Sequence, residues 1–160
     1  MILDNIPILS ILIWMPILGG IWSLIIGDQQ EKVVKHFSLL ISIATFLFSI
    51  ILYYQFDNNF LGMQFIEEFY WIESFSIKYH LGVDGIALPL IMLTSFTTVI
   101  VVLAAWEVID EYISFYMCAF LILTGLMNGV FAALDSILFY VFWEAMLIPM
   151  FLIIGIWGGP

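Results

Sequence analysis

The sequence predicts an all-α polytopic membrane bundle of about five transmembrane helices, with a surface hairpin between the second and third. Two observations predict it. Of the 160 residues, 64% are apolar and 10% are charged, whereas a soluble domain is usually about half apolar and a quarter charged. The apolar residues are also gathered into five runs of the length, roughly 20 residues, that spans a bilayer core. No barrel-like alternation is present, and lipid gives the backbone no hydrogen-bond partner, so the runs must be helices.

The first run, residues 6–26, carries no charge. A loop at 27–36 follows, with Lys32 and Lys35. The second run, 37–56, is also uncharged and ends near Tyr53 and Tyr54, a pair suited to the membrane interface. Residues 57–85 are too many for a simple turn. Within them Phe75-Ser76-Ile77-Lys78-Tyr79-His80-Leu81 alternates in places and precedes Gly82, which predicts a short strand or hairpin on the membrane surface. The third run, 86–106, opens after Asp84-Gly85. An acidic connection at 107–112 leads to the fourth run, 113–134. Asp135-Ser136 barely separates it from the fifth, 137–157, and either residue can cap that helix.

Charge narrows the class. The chain has 3 Lys, no Arg and 13 acids, for a formal net charge of -10. That opposes nucleic-acid binding, which needs cations on phosphates, and opposes a polybasic lipid surface. The single cysteine, Cys118, can form neither an internal disulfide nor a thiolate cluster. His36 and His80 are isolated, and no phosphate loop, nucleophile elbow or metal-ligand cluster appears. Met1-Ile2-Leu3-Asp4-Asn5 lacks the basic start of a signal peptide, so the first helix reads as retained. Lys32 and Lys35 place the first loop in the cytoplasm, and the N-terminus and the Lys78 loop in the periplasm. The sequence stops at Gly158-Gly159-Pro160 as the fifth helix runs out, which reads as an interruption.

Glu144 is the most informative residue. It lies nine positions after Asp135, about 13 Å along a helix, near the middle of the hydrocarbon layer. An acid there costs several kcal/mol, and such residues usually face a bundle interior or a wet cavity that carries ions or protons. Burial disfavours the charged carboxylate, and a nearby cation restores it, so the group can work as a switchable proton site. The alternative is a protonated or hydrogen-bonded structural residue between helices. Pro149, five residues later, removes a backbone donor and predicts a kink that can admit water beside the acid, or one that only shapes packing. Gly125, Gly129 and Ala133 form a small-residue seam for close helix packing. Asn128 beside it either reaches toward Glu144 or makes a plain interhelical hydrogen bond. Thr94, Ser95, Thr97 and Thr98 either line a water path or bond their own helix. Asp84 reads first as a cap for the third helix.

These residues carry a resemblance. Tyr79-His80-Leu81-Gly82-Val83-Asp84-Gly85-Ile86, the Phe142-Trp143-Glu144 and Ile148-Pro149-Met150 combinations, and Trp14-Met15-Pro16-Ile17-Leu18-Gly19-Gly20 resemble subunit M (chain 4) of NADH:quinone oxidoreductase, an antiporter-like family. The resemblance implies a larger fold of two inverted helical repeats in the membrane arm of respiratory complex I. There, electron transfer in other subunits, through NADH, FMN, iron–sulfur clusters and quinone, drives proton pumping. It implies that Glu144 is the proton-channel acid, working opposite a lysine on a broken seventh helix, with no cofactor bound by this stretch. It implies that the loop between helices two and three ties neighbouring subunits together. The implied partners are other membrane-arm subunits, lipid, and a C-terminal portion or second chain that supplies the later helices. The implied place is a bacterial inner membrane rather than the mitochondrial one. Two other readings remain: a non-pumping structural membrane piece, and a subunit of a related cation/proton antiporter or membrane hydrogenase.

Overall fold

The computed structural model describes residues 6–158. The retained-start reading at residues 1–5 and the end at 159–160 lie outside the described residues. Five helices form: α1 (Ile8–Ile26), α2 (Glu31–Gln55), α3 (Ala87–Val108), α4 (Ile113–Ala132) and α5 (Ser136–Trp157). All five are long and apolar enough to cross a membrane. Between α2 and α3 lies an antiparallel hairpin, β1 (Gln64–Ile72) and β2 (Ile77–Val83).

Two of the boundary differences matter for the packing. Helix α2 starts at Glu31 rather than residue 37, so Lys32, Lys35 and His36 sit on its first turns and not in a loop. Charged side chains on an outward-facing helix start remain in contact with water, so nothing there opposes helix formation. Helix α4 stops at Ala132, because Ala133 is extended (φ -68°, ψ 129°) and bridges Leu81 of β2. Leu134 then donates its N–H to the carbonyl of His80 at 2.8 Å. The hairpin is therefore docked on the α4–α5 connection.

The hairpin is also longer than predicted. Its turn runs through Glu73–Phe75 to Ser76, which takes a left-handed conformation (φ 56°). Irregularities between Gln64 and Glu67, and between Tyr70 and Ile72, break the alternation of β1. A bulge shifts every later side chain to the other face.

Carboxylates finish the helix starts, where backbone N–H groups lack partners and the dipole favours negative charge. Asp84 accepts from Ile86 and Ala87 at the start of α3. Asp135 accepts from Ile137 and Leu138 at the start of α5 and, through its other oxygen, from the Lys78 N–H of β2. These bonds hold the Asp135 carboxyl below its ordinary range, the Lys78 N–H contributing most. Two helices are capped from elsewhere in the chain. Glu67 of β1 accepts from the N–H groups of Leu9 and Ser10 and from the Ser10 hydroxyl at the start of α1. Asp28, between α1 and α2, accepts from the Ser114 N–H and hydroxyl at the start of α4.

Helix α4 is the hub, packed on α1, α2, α3 and α5. In lipid, close packing and interhelical hydrogen bonds hold helices together more than the hydrophobic effect does. Helix α2 shows this by facing its small polar residues inward. Ser38, Ser42, Thr45 and Ser49 are buried at helical spacing, while Leu40, Ile43 and Leu47 point outward. By contrast α5 touches only α4 and the hairpin extensively, and few of its residues are buried.

Candidate functional site

The small-residue seam of α4 serves two partners rather than one. A Cβ on Gly125 would lie 2.2 Å from the Ile13 carbonyl oxygen of α1, and one on Gly129 would meet the Phe142 ring of α5 at 2.8 Å. Ala133 is outside the helix and belongs to the hairpin contact. The first two positions are the points of closest approach on either side of α4.

Asn128 lies between them in sequence and is fully buried. Its Nδ2 donates to the Leu12 carbonyl of α1 at 3.0 Å. That carbonyl sits four residues before Pro16, inside α1. Proline has no N–H, so Leu12 loses its ordinary helical donor, and Asn128 supplies one from the neighbouring helix. Asn128 is thus turned to α1, not to Glu144. Of the two readings of Asn128, the plain interhelical bond is what forms. Replacing Asn128 by Leu should leave the Leu12 oxygen buried without a donor and destabilise the bundle by about 1–2 kcal/mol. Thermal unfolding of the protein with its native membrane partners measures this. A variant as stable as the parent would remove the Pro16 compensation from the account.

Glu144 is the one charged residue of α5. It begins the third turn of the helix and is exposed. The expectation that it faces the interior of these five helices is corrected. The buried face of α5 is made by Leu138, Phe142 and Pro149. At 100° per residue Glu144 lies about 140° around from the centre of that face. Its neighbours one turn away, Tyr140 and Ile148, are exposed too. Within this stretch of chain the acid therefore sits on the uncovered side of a membrane-length helix. A carboxylate at that depth needs a cation, a hydrogen-bond donor or water beside it.

Pro149 is buried, and α5 runs unbroken through it. With Ala145 it lines an apolar cleft of about 420 Å³ between α1, α4 and α5, bordered also by Trp14 and Cys118. Ile148, one turn from Glu144, lines the cleft as well, while Glu144 itself does not. Asp84 is at the hairpin end, where it caps α3 as predicted. Thr94 and Thr98 bond the carbonyls of Leu90 and Thr94, and Thr98 meets Thr124 of α4 at 2.6 Å. Glu144, Asn128, Pro149 and Asp84 thus occupy four separate places.

A second polar cluster, unnoticed in the sequence, locks the hairpin to α1. The Tyr79 hydroxyl lies 2.8 Å from the Ser10 hydroxyl and accepts from Trp14 Nε1 at 3.0 Å, and Ser10 in turn donates to Glu67. Burial raises the Tyr79 phenol above its ordinary range. On the outer side of the hairpin Lys78 pairs with Glu68 at 2.8 Å, and His80 lies 3.9 Å from the same carboxylate. The hydrogen bond and charge of Lys78 hold Glu68 low, and Lys78 is raised in return. Only the spacing of Leu12 and Pro16 could have hinted at any of these partnerships. The rest join residues far apart in sequence.

The fold and the lone mid-helix acid define a class: a multi-pass membrane helix bundle with one carboxyl set deep in an otherwise apolar span. No family model matches the chain. It is 43% identical over 151 residues to NADH-ubiquinone oxidoreductase chain 4 of Arabidopsis thaliana, covering 94% of the chain and 30% of that protein. It is 44% identical over 156 residues to NADH-quinone oxidoreductase subunit M of Rhodobacter capsulatus, covering 95% and 30%. For subunit M of Rickettsia prowazekii the identity is 37% over 158 residues, covering 97% and 32%. The chain is a homologue of subunit M, or chain 4, of NADH-quinone oxidoreductase over nearly its whole length, and it spans about a third of the length of these relatives.

Proposed function

We propose that this chain is part of a membrane-arm subunit of an NADH:quinone oxidoreductase, and that Glu144 is a proton-relay carboxyl in it. What carries the reading is the likeness to subunit M and chain 4 proteins, joined to the position of Glu144. It is the one charged group in the middle of a spanning helix, on a face that nothing in the described residues covers. The five helices hold no other acid, and no Lys, away from their ends. In this reading a cation or donor for Glu144 comes from further protein packed on the outer side of α5. In the relay, the carboxyl holds a proton when no cation is near and releases it when one approaches, because a cation stabilises the charged form.

Redox chemistry belongs to other subunits in this reading. The described residues gather no set of three or more His, Cys, Asp or Glu, and Cys118 is the lone cysteine. The stretch therefore does not fit an iron–sulfur ligand set, and the resemblance alone supports assigning NADH, FMN and quinone to other subunits. The hairpin, with exposed Phe69, Tyr70, Trp71 and Phe75, is proposed to meet a neighbouring membrane-arm subunit. The start of α2 is proposed to face the cytoplasm across a bacterial inner membrane and the hairpin the periplasm, an orientation that Lys32 and Lys35 support.

Replacement of Glu144 by Gln in the assembled complex, read by NADH-driven proton translocation, tests the relay. Single-cysteine labelling at positions 32 and 78 tests the topology. The two sites should react with an impermeant reagent from opposite sides of the membrane, and labelling from the same side would break the arrangement.

A further inference from the structure

The interior enclosed by α1, α2, α3 and α4 is lined by hydroxyls. Almost all of them are committed to their own helices. Ser23, Ser42, Thr45, Ser49 and Thr94 each donate to a carbonyl three or four residues back, while Thr98 and Thr124 share a bond in which one hydroxyl donates to the other and the acceptor donates to its own helix. Ser38 pairs with Ser23, and Ser114 with Asp28. Ser95 is the exception. It is 0% exposed, and its hydroxyl has no hydrogen-bond partner in the protein. Only one other buried side-chain polar atom among the described residues shares that condition, Oδ1 of Asn128.

These two atoms lie at one level of the bundle. The Thr98–Thr124 hydrogen bond aligns α3 with α4, and a short connection makes the two helices antiparallel neighbours. Ser95 is three residues before Thr98 and Asn128 four after Thr124, so both lie about one turn from that bond, in the same direction. Helix α2 reaches the same level. Asn128 holds Leu12 of α1, and Gly19 of α1 packs on Ile41 of α2. Seven residues back from Gly19 is Leu12, and eight on from Ile41 is Ser49. Ser49 is buried, donates to Phe46, and keeps its oxygen lone pairs free to accept.

One of the unpartnered groups can donate and the other can only accept. A buried amide oxygen left dry is unfavourable, and interior sites of this kind are ordinarily completed by a water with two to four polar partners. We propose that this level of the bundle is a binding site for one internal water molecule, which accepts from the Ser95 hydroxyl and donates to Asn128 Oδ1, with Ser49 Oγ as its second acceptor. The water completes the cross-link that Asn128 begins, so that α1, α2, α3 and α4 are joined at one depth. Gly129, the residue after Asn128, packs on Phe142, which puts the site near the depth of Glu144 while Glu144 itself faces away. The site stands whatever role Glu144 has.

Electron cryo-microscopy of the protein with its native membrane partners, at a resolution that shows ordered water, tests the site. The expected result is a density peak about 2.6–3.2 Å from both Ser95 Oγ and Asn128 Oδ1. A Ser95 hydroxyl turned onto the Ile91 carbonyl, or bonded directly to Asn128, would overturn the proposal. A variant series reads the same point without imaging. Ser95→Ala should lower the thermal midpoint by about 2–4 °C. Added to Asn128→Leu, it should lower it no further, because the acceptor that needed the water is gone. A Ser95→Ala protein as stable as the parent, or strict additivity of the two changes, would count against the site.

Discussion

Glu144→Gln should abolish proton translocation through this subunit while leaving the protein assembled. Glutamine keeps the size of the side chain and its ability to hydrogen bond, but it cannot take up or release a proton near neutral pH. A positioned acid–base group contributes roughly 10²–10⁴-fold to proton transfer, so the proton flux that depends on Glu144 should fall by at least about 10²-fold. Because Glu144 lies on the exposed side of α5, away from Leu138, Phe142 and Pro149, the packing of these five helices should not change. Glu144→Asp keeps the titratable group one methylene shorter and should restore part of the flux. The measurement is proton movement per NADH oxidised in sealed vesicles, with the amount of assembled complex as control. Unchanged pumping in the Gln variant would make Glu144 a structural residue, and loss of assembly would show that its face is a packing surface first.

Gly125→Ala should destabilise the packing of α1 on α4 strongly. The new Cβ would stand 2.2 Å from the Ile13 oxygen and 2.5 Å from Ile17 Cγ1. The first is backbone and cannot swing aside, so α1 and α4 must separate. Overpacking of this kind costs about 1–3 kcal/mol or more. Here it would also lengthen the Asn128 bond to Leu12, three residues along the same interface. The helix propensity of alanine, about 1 kcal/mol better than that of glycine, offsets only part of this. Gly85→Ala is the matching control, since a Cβ there meets nothing within 4 Å. Heat stability and the accumulated amount of each variant separate the two cases. Equal behaviour would mean that α1 and α4 are not in the tight contact described.

The helices were legible because span length and composition are set by the bilayer, and four of the five began within two residues of the expected position. Helix α2 was the exception, since Glu31, Lys32, Lys35 and His36 look like a loop by composition while a helix start in contact with water tolerates them. The hairpin was legible in part. Strand β2 alternates, but β1 carries Glu67 and Glu68 side by side and is broken by two irregularities, so no period survives. The depth of Glu144 could be read by counting. The side it faces could not, because α5 is apolar all round and periodicity has nothing to act on. Asn128 was visible as a polar residue in a packing seam, but its partner depends on which carbonyl Pro16 frees on a different helix. That is a tertiary fact.

The borrowed caps have a consequence for how the protein is made. The carboxylate that completes the start of α1 is Glu67, 58 residues downstream of Leu9, and the groups that engage Asp28 arrive 86 residues after it, with Ser114. A nascent chain emerging from the ribosome thus enters the bilayer with its first helix unsealed and its first turn unanchored. Both ends close only when later segments reach them. Biogenesis of this bundle is therefore a delayed locking in which α4, made after α1, α2 and α3, fastens what preceded it.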